Sequence, residues 1–420
     1  MRREHGDGID RGRPVPVSIM GIADFMRDGR LRSSTELLTA SRRGDVPPFM
    51  VMDVMAAAAR IEAAGGHVIH MEVGQPASPA PLTARAAAKA AIDVGRLDYT
   101  SALGLPSLRQ RIARHYREAY GHDVDIERIV VTTGSSNAFI LAFLTLFEPG
   151  DRVAVTLPGY PPYRHILTAL GCEPVPIETT AATRHALSGE MLLAAHRKTP
   201  LKGVLVASPA NPTGTMMSRE AMAELMAAAA SENIRFISDE IYHGLDYAFP
   251  ATTAAALSND ALVINSFSKY FCMTGWRVGW MVVPEPLVRP IERLQQNLAI
   301  SVPTLSQIAA EAAFDGAAEM DAIKHGYQDN RHLLIEGLPA AGLDNFLPAD
   351  GAFYLYADVS RFTNDSLDFA RRMLEEAHVA ATPGIDFDPV HGKSFLRFCY
   401  AGSRQETEEA IARVTRWLKR

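Results

Sequence analysis

The sequence predicts an α/β protein whose main sheet is mostly parallel and covered by helices, followed by a smaller α+β region. Three observations support this fold class. Short β-branched runs alternate with helical stretches between about residues 129 and 283. These runs are apolar throughout, which is typical of strands buried on both faces. Polar clusters follow several of the runs directly, where open α/β sheets bind their ligands.

The helical elements before the sheet are predicted from composition and spacing. Val51–Ala64 is rich in Met and Ala, and Pro106–Tyr120 repeats Leu108, Ile112 and Tyr116 at intervals of four. Apolar, β-branched residues predict strands at Ile129–Thr132, Arg152–Thr156, Gly203–Val206, Arg235–Ser238, Ala261–Ile264 and Val278–Val283. The helices predicted between these strands are Ala138–Phe147, Tyr163–Leu170 and Ser218–Ser231.

A second, smaller group of elements follows Pro290. Strands are predicted at Phe353–Tyr356 and Phe395–Phe398, and a closing helix carries Ile411, Val414 and Leu418 on one stripe. We therefore expect a large domain over residues 76–295 and a small domain built from residues 45–75 and 296–420. Residues 1–44 are expected to form a loosely ordered extension.

Composition narrows the class of protein. The 420 residues are 47% hydrophobic and carry a net charge of -6, which disfavours nucleic acid as a partner. Cys172, Cys272 and Cys399 are odd in number and far apart, so we expect a reducing, cytoplasmic location. In the uncharged stretch from residue 129 to 147, polar residues leave an apolar run too short to cross a bilayer, so no membrane partner is expected.

Four polar clusters stand at or beside successive predicted strands. They are Asn211-Pro-Thr-Gly214, Asp239-Glu-Ile-Tyr242, Asn265-Ser-Phe-Ser-Lys269 and Gly275-Trp-Arg277-Val-Gly279. Each has an ordinary alternative, such as a surface lysine, a helix cap, a turn or a structural ion pair. Because all four stand in order at the sheet edge, a shared site is the better interpretation.

Competing motifs are not supported. Ser266–Lys269 matches the S-x-x-K of penicillin-recognising enzymes, but the Ser-Asp-Asn and Lys-Thr-Gly that it requires do not occur. No metal-binding spacing of histidines or cysteines is found, so no metal is predicted.

In combination, these clusters resemble those of the class I/II aminotransferases, pyridoxal-phosphate-dependent enzymes of fold type I that include aspartate aminotransferase. The resemblance extends from about Asp45 to the C-terminus. It implies a mostly parallel seven-stranded sheet and a homodimer. It also implies transfer of an amino group between an α-amino acid and a 2-oxo acid through a pyridoxal-phosphate Schiff base on Lys269. A primary amine that can form such a bond can also move protons.

The resemblance assigns the cofactor contacts residue by residue. Asp239 would hold the pyridine nitrogen protonated, and Tyr242 and Asn211 would bond the phenolic oxygen. A helix N-terminus, hydroxyls and a guanidinium would bind the phosphate, through Gly134, Ser135, Ser136, Ser266, Ser268 and Arg277.

Two tyrosines complete the cofactor assignment. Tyr160, in Leu157-Pro-Gly-Tyr160, would stack on the cofactor ring. Tyr99 would reach the phosphate of the neighbouring subunit.

The substrate contacts follow from the same resemblance. Arg397 would bind the α-carboxylate with its guanidinium fork, and the backbone of Gly74 would close over that group. Tyr160 and Asn211 would also line the substrate site. No second arginine can be assigned to a side-chain carboxylate.

Two other functions compete with amino-group transfer on the residues alone, and the second is disfavoured. A lyase of the same fold, acting by β-elimination or related carbanion chemistry, would use the same lysine. A non-catalytic regulator would need a DNA-binding module, for which the roughly 45 residues before the fold are too few.

Overall fold

The computed structural model describes residues 39–420. Residues Val46–Arg420 form one compact unit, and residues 39–45 belong to a separate unit that includes the 3-10 turn Arg42–Gly44. The expected N-terminal extension therefore lies almost wholly outside the described residues.

The strands of the described residues follow one another along the whole chain. They are β1 (Ile69–His70), β2 (Ile129–Thr132), β3 (Arg152–Leu157), β4 (Glu173–Glu178), β5 (Gly203–Ala207), β6 (Arg235–Asp239), β7 (Leu262–Ser266), β8 (Gly279–Val282), β9 (Tyr354–Asp358), β10 (Val379–Ala380), β11 (Thr382–Pro383) and β12 (Phe395–Cys399).

The α-helices alternate with these strands in the first two thirds of the chain and dominate the last third. They are α1 (Met50–Ala63), α2 (Leu82–Val94), α3 (Pro106–Tyr120), α4 (Gly134–Leu146), α5 (Pro161–Ala169), α6 (Gly189–Lys198), α7 (Arg219–Ser231), α8 (Glu285–Leu298), α9 (Thr304–Ala313), α10 (Ala317–Gly337), α11 (Ser366–Ala377) and α12 (Arg404–Leu418). Among residues 39–420, no helix combines the length and apolar character needed to cross a bilayer.

The main sheet has seven strands in the order β2-β8-β7-β6-β5-β3-β4. Strand β8 runs antiparallel to both of its neighbours, and the other pairs are parallel. This is the mostly parallel seven-stranded sheet that was expected. The carboxyl ends of β5, β6 and β7 lie side by side, and β8 enters the sheet at the same edge, with Gly279 opposite Ser266.

Both faces of the sheet are buried, which explains why its strands are apolar throughout. Val204 and Phe236 point into a core that also contains Leu108 and Ile112 of α3. Adjacent residues such as Leu205 point to the opposite face, into a core with α4 and α5. The spacing of four predicted for α3 is therefore its buried stripe.

The C-terminal part builds a second region around β9, β11 and β12, which form an antiparallel sheet. Strand β1 pairs with β10, so residues before 76 pack with the C-terminal part. A separate core joins Ile69 to Phe398 and Trp417. This supports the predicted division into two domains at residues 76 and 295, which stays a prediction.

Two elements of the sheet region were not predicted from the sequence. Strand β4 contains Pro174 and Pro176. Among the described strands it pairs with β3 alone, and proline is tolerated on such an edge strand. Helix α6 has a weak apolar pattern in which Leu192 alone is fully buried, and the Ser188 hydroxyl accepts the Met191 N–H at its start. Helix α4 also begins at Gly134, four residues before the predicted start.

Candidate active site

A cavity of about 240 Å³ lies at the carboxyl edge of the main sheet. It collects most of the residues singled out from the sequence. They are Gly74, Ser135, Ser136, Tyr160, Asn211, Asp239, Tyr242, Ser268, Lys269, Arg277 and Arg397. The strand-end clusters therefore converge as the parallel sheet requires.

Lys269 reaches the cavity from the loop after β7. Its Nζ donates a hydrogen bond to the Gly74 carbonyl oxygen at 2.6 Å. Burial lowers the pKa of its amine to about 8, and the charge of Arg397 acts in the same direction. A lysine with this pKa keeps a substantial neutral, nucleophilic fraction near physiological pH.

Asp239 ends β6 and is buried. Its Oδ2 accepts a hydrogen bond from the Tyr163 hydroxyl, and its Oδ1 accepts the Ile241 N–H at 3.1 Å. Burial raises the pKa of this carboxyl to about 6, and the two hydrogen bonds oppose that rise. Asp239 is therefore mostly ionised above pH 7. Its carboxylate lines the same cavity as Lys269 and Arg277.

One set of residues that line the cavity is suited to an anion. Ser135 and Ser136 lie in the first turn of α4, where backbone N–H groups are free, and Ser268 and Arg277 face them. Gly134 has φ +71°, and a side chain there would overlap the Arg277 guanidinium. The glycine thus lets the arginine approach the helix N-terminus.

Ser266 is placed outside the cavity wall. Its hydroxyl oxygen accepts the Ser268 N–H at 3.1 Å, and the two hydroxyl oxygens are 2.9 Å apart. Ser266 therefore orients Ser268, and direct contact with a cofactor stays a prediction.

Arg397 is only 2% exposed although it lies in the cavity wall. Its Nη1 donates to Asn211 Oδ1 at 2.9 Å, and its Nη2 donates to the Glu72 carbonyl oxygen and to Thr382 Oγ1. The rings of Tyr354 and Phe387 lie 4.4 and 4.7 Å from its guanidinium carbon. Its Nε is buried without a hydrogen-bond partner within the described part of the chain. This donor fits a carboxylate ligand.

Two tyrosines of the site escaped the sequence analysis. The Tyr354 hydroxyl lies 2.7 Å from the Tyr242 hydroxyl, and a side chain on Gly74 would overlap it. Tyr163, on α5, donates its hydroxyl hydrogen to Asp239, and its ring centroid lies 5.2 Å from that of Tyr160, the residue just before α5. The spacing of three between these two tyrosines was the available signal for the second one.

Tyr99 lies outside this cavity. Its side chain is 81% exposed. The predicted contact with a neighbouring subunit needs such exposure, and it stays a prediction.

Comparison with known proteins identifies the class that this fold and site define. The family model for aminotransferases of class I and II matches residues 66–414. The chain therefore belongs to the class I and II aminotransferase family, whose members are in general pyridoxal-phosphate-dependent. It transfers amino groups between amino acids and 2-oxo acids.

Individual relatives agree along nearly the whole chain. A valine–pyruvate aminotransferase of Mycobacterium tuberculosis is 48% identical over 90% of this chain and 97% of its own length. The crystal structure of an aminotransferase from the same organism, 48% identical, superposes with a TM-score of 0.88 over 91% of this chain and 99% of that one. The structure of aspartate aminotransferase from Thermus thermophilus with maleate is 30% identical and superposes with a TM-score of 0.85 over 90% of this chain and 99% of that one. These findings favour amino-group transfer over the lyase alternative.

The depressed pKa of Lys269 leads to a direct test. In cofactor-free protein, we expect the reactivity of its amine toward acetic anhydride to reach half of its maximum near pH 8, because burial disfavours the ammonium form. Competitive labelling read by mass spectrometry measures this, with exposed Lys89 as reference for the reagent. Asp239→Asn removes a charge that raises this pKa, so its midpoint should move to lower pH. A midpoint at the ordinary lysine value of about 10.4 would contradict the site geometry.

Proposed function

We propose that this aminotransferase binds pyridoxal phosphate covalently through Lys269 and transfers the amino group of a donor with a small apolar side chain, such as valine, to a 2-oxo acid such as pyruvate. One observation carries the proposal. Lys269, Asp239 and Arg397 line a single cavity together with the first turn of α4, Ser268 and Arg277. We also propose a cytoplasmic homodimer. The free cysteines Cys172, Cys272 and Cys399 support a reducing compartment.

The residues of the cavity fit the cofactor in charge and position. Arg277, Ser268 and the first turn of α4 offer the positive charge and donors that a phosphate needs. Asp239, ionised above pH 7, would face a protonated ring nitrogen. Tyr160 lines the cavity and is held by ring contacts with Tyr163 and Phe49 at 5.2 and 5.8 Å between centroids, so it can stack on a flat ligand.

The protein's own groups would then divide the work of the reaction. When bound, pyridoxal phosphate supplies an aldehyde that condenses with amines and a ring that accepts electron density from the substrate α-carbon. Lys269 Nζ would take the proton from the substrate α-carbon and deliver it to the C4′ carbon of the cofactor. A pKa of about 8 suits an amine that acts first as a base and then as an acid. Arg397 would hold the α-carboxylate through guanidinium donors that its partners in the described part of the chain leave free, Nε among them, and the rings of Tyr354 and Phe387 beside the guanidinium fix its orientation.

The walls of the cavity support an apolar donor. Phe49, Val51 and Met52 from the start of α1 line it, together with Ile241. Lys269, Arg277 and Arg397 are the cations among the described lining residues, and each has a role in the proposal. A side-chain carboxylate would therefore be desolvated without a partner. The valine–pyruvate activity of the Mycobacterium tuberculosis relative supports the same substrate class.

The lysine assignment has a chemical test. Reduction of the cofactor-loaded protein with sodium borohydride should fix the cofactor covalently to Lys269, and peptide mapping locates it. Lys269→Ala should lose this covalent attachment while remaining folded. It should still bind the cofactor non-covalently, because Arg277 and Ser268 still bind the phosphate. Cofactor attached to any other lysine would refute the assignment.

Substrate choice can be measured with a panel of donors against one fixed acceptor, 2-oxobutyrate, because alanine and pyruvate would only exchange into one another. We expect kcat/KM for valine to exceed that for aspartate by at least about ten-fold, or about 1.4 kcal/mol of transition-state free energy, because the aspartate side chain finds no cation. Alanine, with less apolar surface, should fall between them. Equal values for valine and aspartate would contradict the proposed donor class.

The homodimer is supported by an exposed apolar patch that includes Tyr99. Val94 is 80% exposed, and Leu97, Leu298 and Ile300 are also exposed. The two segments that carry the patch are joined, because Thr304 Oγ1 donates to the Asp98 carbonyl oxygen at 2.5 Å. Exposed apolar surface of this kind marks an interface between proteins.

Sedimentation velocity tests the dimer. The wild type should sediment as a dimer and Val94→Glu as a monomer, because a buried unpaired carboxylate disfavours association. Val390→Glu, at another exposed valine, is the matched control and should remain dimeric. Tyr99→Phe should stay dimeric yet retain cofactor less well, by about 1.5–3 kcal/mol for one hydrogen bond to a charged group. A monomeric wild type would contradict the proposal.

A further inference from the structure

Helix α1, whose first turn lines the cavity, has no N-cap of its own. Phe49 precedes the helix and makes no side-chain capping bond. Instead, Asp386, far along the chain, supplies the acceptor: its Oδ1 takes the Met50 N–H at 3.4 Å. The N–H of Val51 also favours the ionised form of this carboxyl and lowers its pKa. A carboxylate at this position satisfies free helix N–H groups and complements the helix dipole.

The Asp386 carboxyl is buried and, among the described residues, has few hydrogen-bond donors other than those of α1. Its residue is 4% exposed, and its Oδ2 is buried without a partner in the part of the chain described. Burial raises its pKa to about 6, against the N–H groups of α1 and the charges of Arg397 and Arg164. Asp388 stands two residues further along the chain. Burial raises the pKa of the Tyr160 hydroxyl to about 12, and the charge of Asp386 acts in the same direction. An ionised Asp386 therefore depends on the first turn of α1 for its hydrogen bond.

The loop that carries Asp386 is held firmly. Arg164 of α5 donates to the carbonyl oxygens of Asp386 and Phe387 at 3.0 and 3.2 Å. The Gly159 N–H also donates to the Phe387 carbonyl oxygen, at 3.2 Å. The carboxylate is thus presented from a fixed position beside the Tyr160 loop.

The clustered apolar packing of helix α1 lies beyond its first turn. Its buried Ala58 belongs to a small cluster that is separate from the larger cores and contains Val68, Leu374 and Ala380, with partly buried Val54, Ala57 and Ile61 beside it. In the first turn Val51 is buried but belongs to none of the apolar clusters formed by the described residues. The position of the first turn is therefore sensitive to what binds its N-terminus.

We propose that Asp386 is a positioning residue, which holds the first turn of α1 so that Phe49, Val51 and Met52 form the wall met by the side chain of the amino donor. The inference rests on the proposed function for the identity of that donor. Asp386 acts through α1 and need not touch substrate.

The main test compares Asp386→Ala with Asp388→Ala. Asp388 is equally buried in the same loop, but its carboxylate accepts the N–H groups of Val390 and His391 and not those of α1. In the holoenzyme, Asp386→Ala should raise KM for valine about ten-fold, the factor for an N-cap worth about 1.4 kcal/mol. KM for alanine, whose methyl group reaches the wall least, should change much less, and kcat should change little for either donor. Asp388→Ala should leave the ratio of the two KM values unchanged.

Two further variants approach the same hydrogen bond from each side. Asp386→Asn keeps a side-chain oxygen acceptor and should restore most of the KM for valine. Met50→Pro removes the donor N–H at the first helical position, where proline is tolerated, and should shift KM in the same direction as Asp386→Ala. The Met50→Pro variant keeps the test decisive if Asp386→Ala does not fold.

Hydrogen exchange supplies a readout independent of the donor. Amides of residues 51–56 should exchange about ten-fold faster in Asp386→Ala than in wild type, while those of the main sheet keep their rates. Unchanged exchange there, or equal KM shifts for valine and alanine, would overturn the positioning role. If wild-type protein does not use valine at all, the proposed substrate fails, and exchange still decides the role of Asp386.

Discussion

The burial of Arg397 is the constraint on which the rest of the site depends. A guanidinium excluded from water costs several kcal/mol unless its donors are paired and its faces are covered. Here the pairing is supplied by three separate segments, through Asn211, the Glu72 carbonyl and Thr382, and the faces are covered by Tyr354 and Phe387. Satisfying one side chain thus brings the main sheet, the loop before Gly74 and the C-terminal sheet around one cavity.

The other charges of the cavity follow the same logic of burial balanced by partners. Asp239 keeps its negative charge through Tyr163 and the Ile241 N–H, while burial, aided by the charges of Arg397 and Arg277, lowers the pKa of Lys269. The resulting contrast, an acid that is mostly ionised and a lysine that is partly neutral at pH 8, is what carbanion chemistry at an amino acid requires. Asp386 extends this pattern to the wall of the cavity, where a buried carboxylate meets a helix N-terminus.

Local patterns in the sequence were sufficient for much of this architecture. The apolar strands and the stripe of Leu108, Ile112 and Tyr116 were predicted correctly because two-sided burial and helical spacing leave a clear signature. Convergence of Asn211, Asp239, Lys269 and Arg277 followed from their places at the sheet edge. Strand β4 was missed because its prolines are acceptable only on an edge, which cannot be recognised before the neighbours are known.

Contacts that join distant segments were beyond such patterns. In the sequence, Tyr354 is indistinguishable from the other aromatic residues of a buried strand. Only the fold places its hydroxyl beside that of Tyr242. Asp386 gives no local sign that it caps a helix more than three hundred residues earlier. Neither depends on a motif, because each is defined by the packing of two regions whose relative position only the fold determines.

This cavity is expected to pass an amino group from donor to acceptor and not to release it as ammonia. The most direct measurement is the half-reaction of the cofactor-loaded protein with valine in the absence of any acceptor. We expect a burst of 2-oxo acid stoichiometric with the subunits, no free ammonia, and resumed turnover when pyruvate is added. Lys269→Ala should give neither the burst nor the turnover. Continuous release of ammonia together with the 2-oxo acid would contradict this expectation.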